Sequence, residues 1–317
     1  MRVETTRVAA TFQLEHAAGF YGSEAELVAQ ARPIVEAALA RSEPVALAVA
    51  PATEQALHEA VGNGSGLVSL TQDVGPDGAS GQTLAAQRAR ELRELTSGSG
   101  GAVVIVEHTS ALDGADGSFW TELDAAANIA LADLPVSLTC FFPEIPLHLE
   151  ITEGARRNHP RLLVGGELRH NPDHRGPRDV LAERPAPTPV LLGPPDVRLR
   201  FSAWQLHDVR AAVELAVAEV AYERARAEDV VLAVNEVATN AVEHGTTEAD
   251  LALWVGPDGL VCEVHDGGRL ADPLPGLRAP HPSEARGRGV WIARQVCDLL
   301  HVWTDPDGTH VRMRALP

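Results

Sequence analysis

Asn235-Glu236-Val237-Ala238-Thr239-Asn240-Ala241-Val242-Glu243-His244-Gly245 sets the architecture expected for the second half of the chain. Glu236, Asn240 and His244 recur at i, i+4 and i+8, so a helix over 227–244 carries them on one face. Val230, Val234, Val237 and Ala241 fall largely on the opposite face, where they can pack on a sheet. One carboxylate and one amide in line suit a divalent-metal nucleotide. The amide oxygen can coordinate Mg2+, and the carboxylate can orient or deprotonate a nucleophile. Taken alone, the same spacing also describes a solvated polar face.

Outward from this helix the neighbouring pieces fall into order. Val197, Leu199 and Phe201 alternate as a strand, and a first helix follows over 205–223. Residues 251–255 and 260–264 make a hairpin over Pro257-Asp258-Gly259, and its second strand ends in Asp266-Gly267-Gly268. A carboxylate there can accept a hydrogen bond from an exocyclic amine such as that of adenine, and glycines permit close backbone approach. A Gly- and Pro-rich loop leads to Arg286-Gly287-Arg288-Gly289, the entry to a helix predicted over 290–300, whose first N–H groups suit phosphates. With little apolar content, the loop 269–286 is expected to be mobile until a γ-phosphate orders it through Arg286 or Arg288. A last hairpin closes on Asp305-Pro306-Asp307-Gly308 and brings Thr309 into its returning strand. Helices followed by mostly antiparallel strands predict a two-layer α+β domain.

The first half reads differently. Residues 45–49 (VALAV) and 102–106 (AVVIV) are buried strands, 67–70 and 136–142 further strands, and helical periodicity separates them at 53–61, 84–95 and 119–131. Ser23 and Glu26 form a capping box for an earlier helix, which Pro33 should kink. This alternation predicts an α/β domain, a mostly parallel sheet with helices on both faces. Arg184-Pro185-Ala186-Pro187-Thr188-Pro189 and Gly193-Pro194-Pro195 mark an extended linker. The expected domains are therefore 1–184 and 199–317, with 185–198 between them.

Composition narrows the chemistry. The chain has 317 residues and a formal net charge of −18, a poor match for nucleic-acid phosphates. All 26 basic residues are arginine. The absence of lysine excludes a P-loop, the strand lysine of a typical protein kinase and any Schiff-base chemistry. Three cysteines without a C-x-x-C pair read as reduced thiols of a cytoplasmic protein. No apolar run suggests a signal peptide or a membrane span, so no membrane partner is expected.

The order of the motifs is what carries a resemblance. Residues 199–317 resemble the GHKL (Bergerat-fold) ATPase domain of the anti-sigma-factor/serine-kinase and histidine-kinase group. NEVATNAVEHG matches the N box of that group, VHDGG its first glycine box, and RGRGVWIARQVCD its second. The family binds ATP without a P-loop lysine. The resemblance implies that Asn240 holds Mg2+, Glu236 acts as general base, Asp266 binds the adenine amine and Gly268 admits the base. Gly287, Arg288 and Gly289 would line the phosphates, and Thr309 would sit near the adenine. The first glycine box of the family often continues to a further glycine, where this chain has Leu270.

Residues 8–180 are similar to the MEDS sensory module of two-domain actinobacterial regulators, on His16-Ala17-Ala18-Gly19-Phe20-Tyr21, Glu43-Pro44 and the stretch from Cys140 to His159-Pro160. Together the two resemblances imply a regulator of anti-sigma type. It would bind Mg-ATP and phosphorylate Ser or Thr of an anti-anti-sigma (STAS-type) protein, with a sigma factor as the other partner and a homodimer allowed. Two further readings stay open: a sensor histidine kinase, with His207-Asp208 as phosphoacceptor pair, and a non-catalytic ATP-binding adaptor. His148, His159, His170 and His174 lie among prolines and arginines and read as loop histidines rather than as a metal site.

Overall fold

The structure is a computed structural model that describes residues 14–62, 66–70, 80–185, 188–270, 272, 274–278, 280 and 288–317. The first unit runs β1 (Glu15–Tyr21), α1 (Glu24–Ala40), β2 (Val45–Ala48), α2 (Pro51–Val61), β3 (Leu67–Ser69), α3 (Gly81–Ser99), β4 (Ala102–Glu107), α4 (Ser118–Ala130) and β5 (Val136–Pro143). It continues with α5 (Leu149–Asn158), β6 (Arg161–Val164), β7 (Glu167–His170) and α6 (Pro177–Glu183). The strands form one sheet in the order β3-β2-β4-β5-β1-β6-β7, parallel except for the β6–β7 hairpin. Alternation along β4 makes two cores. Val103 and Ile105 join Leu27, Val35 and Leu57 under α1 and α2, whereas Val104 and Val106 join Leu84, Leu92 and Leu123 under α3 and α4. The sheet is thus covered on both faces, as the alternating pattern predicts.

Two readings of this half need correction. The strand β1 lies inside the sheet between β5 and β6, although its His-Ala-Ala-Gly sequence lacks the usual strand formers. Gly19 permits that position, since a Cβ there would stand 2.7 Å from the Phe141 ring. The helix α1 runs through Pro33 as one element, with Pro33 on its exposed face.

The second unit runs β8 (Val197–Ser202), α7 (Leu206–Glu219), α8 (Arg224–Asn240), β9 (Glu248–Gly256), β10 (Gly259–Asp266), α9 (Gly289–Val296), β11 (Leu299–Asp305) and β12 (Gly308–Ala315). Its antiparallel sheet has the order β11-β12-β10-β9-β8. Val230, Val234, Val237 and Ala241 are buried in a core with Leu251, Leu253, Val264 and Val302, so the apolar face of α8 meets the sheet as its spacing predicts. The helix predicted over 290–300 ends four residues early. Leu299 and Leu300 instead pair with Arg314 and Met313 as the start of β11.

The linker between the units is docked on the second sheet. Trp254 Nε1 donates to the Gly193 carbonyl (2.8 Å), and Arg312 Nη1 donates to that of Val190 (2.7 Å). Cys140, Cys262 and Cys297 are free and buried. Among the described residues no helix is long and apolar enough to cross a membrane.

Candidate nucleotide site and its contact with the first domain

At the end of α8 the backbone passes through a single π turn, Ala241–Gly245, before entering β9. Such turns re-aim the helix end, and they recur at functional sites. Here the turn carries Gly245 up to the carboxylate of Asp266, the last residue of β10. A Cβ at Gly245 would overlap that carboxylate, and one at Gly268 would stand 2.6 Å from Asp266 Oδ1. Two glycines therefore build a slot around one acid. Asp266 is 8% exposed, and its Oδ1 accepts the Gly268 N–H at 2.7 Å. Burial pushes its carboxyl above the usual aspartate value, against the opposing pull of the Gly268 N–H and of His265 and His310.

Asp266 opens on a cavity of about 410 Å³, whose walls include Asn240, Val264, Leu270, Val290 and Thr309. Thr309 lies opposite Asp266 in the β10–β12 ladder, and its hydroxyl donates to the Gly268 carbonyl at 3.0 Å. The apolar walls suit a flat ring, and the one carboxylate among the described lining residues suits an amine on its edge. Leu270, where the resembling family often has glycine, forms part of the wall and packs on the core.

Gly289, the first residue of α9, packs against α8. A Cβ there would stand 2.5 Å from Glu236 Oε2 and 2.9 Å from Asn240 Nδ2. The carboxylate and the amide therefore meet at the backbone start of α9, where unpaired N–H groups favour anions. Glu236 is half-buried and lies beside Gly289 rather than in the cavity wall, and Arg288 is exposed at the N-cap of α9. Gly287 and Arg286 lie outside the described residues. The structure thus brings together Asn240, Asp266, Gly268, Thr309, Gly289 and Glu236 from four elements. The cavity also takes in Arg269, Pro275 and Gly276, which the sequence did not single out. A glycine inside the connecting loop was the available signal. Gly276 has φ +72°, and a Cβ there would meet the Trp291 N at 2.7 Å.

The loop between the glycine boxes departs from the expectation of a freely mobile segment over its described part. Leu274 and Leu277 are buried in the cluster that also holds Leu84, Ala85 and Phe119 of the first unit. Arg294 of α9, 3% exposed, fixes the same segment from below. Its Nε donates to the Pro275 carbonyl (2.8 Å), Nη1 to that of Leu300 (3.0 Å) and Nη2 to Gln82 Oε1 (2.8 Å). Burial lowers this guanidinium to about 10, with Glu122 and Asp272 opposing, so it stays charged at neutral pH. Gln82 itself is fully buried. It accepts the Val302 N–H (3.1 Å) and donates to the Val302 carbonyl (3.0 Å) and to Glu122 Oε1 (2.7 Å). Glu122 Oε2 accepts the Gly81 N–H at 3.0 Å. One hydrogen-bonded chain therefore runs from α4 through the start of α3 to α9 and the loop over the cavity.

With this geometry in hand, three comparisons bear on the chain. The profile of the histidine kinase-like ATPase domain family matches residues 200–315, the span that holds the cavity. The profile described as MEthanogen/methylotroph, DcmR Sensory domain (MEDS) matches residues 15–160. Curated proteins give no significant match. A solved structure similar to this chain holds the RsbU and RsbW domains of a Mycobacterium tuberculosis protein. It is 21% identical with a TM-score of 0.27, over 38% of this chain and 33% of that one, so the chain spans about a third of its length. The sensory profile ends before the linker and the ATPase profile begins after it, so the chain joins a MEDS domain to a histidine kinase-like ATPase domain.

Proposed function

We propose that the chain is a sensor-gated regulator of anti-sigma type, whose C-terminal domain binds Mg-ATP and phosphorylates Ser or Thr of an anti-anti-sigma partner. The observation that carries the proposal is the Asp266 slot, an acid held by Gly245 and Gly268 at the wall of a cavity that Asn240 also lines, with Gly289 packed against Asn240. The residues fit the nucleotide, because these glycines let Asp266, Glu236 and Asn240 pack closely against the backbone beside the cavity. Asp266 would accept the adenine amine, Thr309 would support the adjoining turn, and the Asn240 amide oxygen would hold Mg2+. Glu236 would take the proton from the hydroxyl of the partner, with Gly287, Arg288 and Gly289 around the phosphates. Bound Mg-ATP supplies the phosphoryl group. The first domain would act on this site through Gln82 and Arg294, which tie the cavity loop to it.

The domain limits 1–184, 185–198 and 199–317 belong to the same reading, as does a cytoplasmic protein that engages a sigma factor. A histidine-kinase reading fits the molecule less well. His207 lies in the first turn of α7, and that helix buries Val209, Val213 and Val217 in the ATPase core rather than standing apart.

The test is incubation of the full chain with labelled ATP, Mg2+ and an anti-anti-sigma protein. Acid-stable phosphate on the partner, lost in Glu236→Ala while ATP still binds, is the expected result. Acid-labile phosphate on His207 would replace this reading with the kinase alternative. ATP binding without any transfer would leave an adaptor.

A further inference from the structure

The interior of the first domain holds a polar cluster that the nucleotide site does not use. His16 comes from β1, Asp124 from α4, Cys140 from β5, and His159 follows the end of α5. In the parallel β1–β5 ladder Ala18 lies opposite Cys140, so His16 and Cys140 project from the same face of the sheet. The helices α4 and α5 cover that face. All four residues are at most 3% exposed, and one donor atom from each lies within 4.8 Å of the other three.

The hydrogen-bond geometry around the cluster fixes which atoms face inward. Asn128 Nδ2 donates to the carbonyls of Asp124 (3.0 Å) and Asn158 (2.8 Å), which leaves Asn128 Oδ1 as an acceptor. The His16 Nδ1 that stands 3.0 Å from it must then carry the proton. His159 Nδ1 stands 2.7 Å from the Ala155 carbonyl, which can only accept, so it too carries the proton. Both imidazoles are thereby oriented by a carbonyl on one nitrogen, and both offer an Nε2 lone pair to the centre. This is the arrangement in which metal-ligating histidines are held by their outer partners.

Inside the cluster a weak thiol contact pairs two of the groups and leaves the other two unsatisfied. Cys140 Sγ lies 3.5 Å from His16 Nε2. His159 Nε2 lies 3.9 Å from Asp124 Oδ1, too far for a hydrogen bond. His159 Nε2 and Asp124 Oδ2 are buried without any hydrogen-bond partner. Around them lie the Phe142 ring, 5.6 Å from that of His159, and the buried Arg88, whose charge acts on Asp124 and Cys140. Lone pairs left facing each other in such a core cost free energy that a bound cation would recover.

We propose that His16, Asp124, Cys140 and His159 form a closed divalent-metal site of the zinc type within the sensory domain. Two imidazole nitrogens, a thiolate and a carboxylate oxygen are a borderline-soft set that favours four-coordinate zinc over magnesium or calcium. With bonds of about 2.0–2.3 Å, tetrahedral ligand atoms stand about 3.3–3.8 Å apart, so a modest contraction of the cluster seats the ion. On binding, the Cys140 thiol releases its proton and the sulfur bonds the metal. Complete burial leaves no open coordination position for a substrate, which assigns the ion a structural or sensory role.

Metal content of the full chain, refolded with zinc and dialysed against a weak chelator, tests the site. The expected result is about one zinc per chain, and with cobalt a thiolate-to-metal charge-transfer band that disappears in Cys140→Ser. Asn128→Ala, which removes the acceptor behind His16 together with the bonds to the Asp124 and Asn158 carbonyls, should lower zinc affinity about 10–100-fold while the chain stays folded. The competing arrangement is a metal-free core in which buried Arg88 offsets the charge of Asp124. A folded wild-type chain that holds less than about a tenth of an equivalent of zinc and gives no cobalt band establishes that arrangement and overturns the proposal.

Discussion

The nucleotide cavity and the boundary between the domains treat buried acids in opposite ways. In the ATPase sheet Asp266 ends a strand, keeps one oxygen on a local N–H and faces a cavity. At the boundary between the domains, Glu122 is 1% exposed and spends both oxygens on Gly81 and Gln82. The first acid faces an open cavity at some cost in burial. The second is consumed by the fold. The difference separates residues whose loss should show in ligand affinity from residues whose loss should show in stability.

Glu122→Ala should produce the largest effect, because it strips the Gly81 N–H and the Gln82 amide of partners inside a dry interface. A loss of about 2–4 kcal/mol in chemical denaturation is expected, and a change below about 1 kcal/mol would break the contrast with Asp266. Asp266→Asn should leave the stability of the nucleotide-free chain nearly unchanged. Its effect should fall on calorimetric ATP affinity, weakened about 10–100-fold, the equivalent of about 1.5–3 kcal/mol.

The same acid gives a pH dependence of known sign. Burial raises the Asp266 carboxyl above its usual value, so protonation begins at a higher pH than for an exposed aspartate. Nucleotide affinity, which needs the acceptor, should be full at neutral pH and decline as pH falls through that raised value. The stability contribution of Asp266 runs the other way: it is fully present below the unfolded pKa and lost as pH rises through the folded one. Acid should therefore weaken ATP binding while relieving the burial of Asp266 in the nucleotide-free chain. Affinity that stays flat down to the ordinary aspartate range, or an equal decline in Asp266→Asn, would remove Asp266 from recognition.

The most local readout should come from Gln82→Ala, which takes one of three acceptors from Arg294 and also unpairs Val302 and Glu122. Amide exchange at residues 274–277 should quicken several-fold, beyond the loss of about 1–3 kcal/mol in global unfolding, since local openings cost less than the whole. Unchanged exchange would mean that Leu274 and Leu277 hold the loop without help from the Arg294 bond.

The ATPase domain was largely legible in the sequence because its signals are local. Glu236 and Asn240 share a helix face by spacing, and Asp266 and Gly268 stand two residues apart. The end of α9 was misread because Leu299 and Leu300 fit a helix as well as a strand, and only pairing with β12 decides between them. β1 was missed because its pairing with β5 and β6, rather than local propensity, makes it a strand. The histidine cluster had no spacing to betray it. Residues 16, 124, 140 and 159 meet only through the sheet order, and His159, read as a loop histidine, is fully buried. His170 and His174, the closest pair in sequence, lie outside the cluster.

The helix α4 has a consequence of its own. Asp124 and Asn128 face the inner cluster, while Glu122, two positions earlier, faces Gln82 and the ATPase domain. A helix of 13 residues packed on both sides transmits displacement more readily than it absorbs it. Linkage between two ligands on such an element is reciprocal: a factor by which an occupant of the first domain alters ATP affinity is the factor by which ATP alters the affinity for that occupant. The concentration at which either domain fills would then shift with the occupancy of the other, so that neither affinity is a fixed property of its own domain.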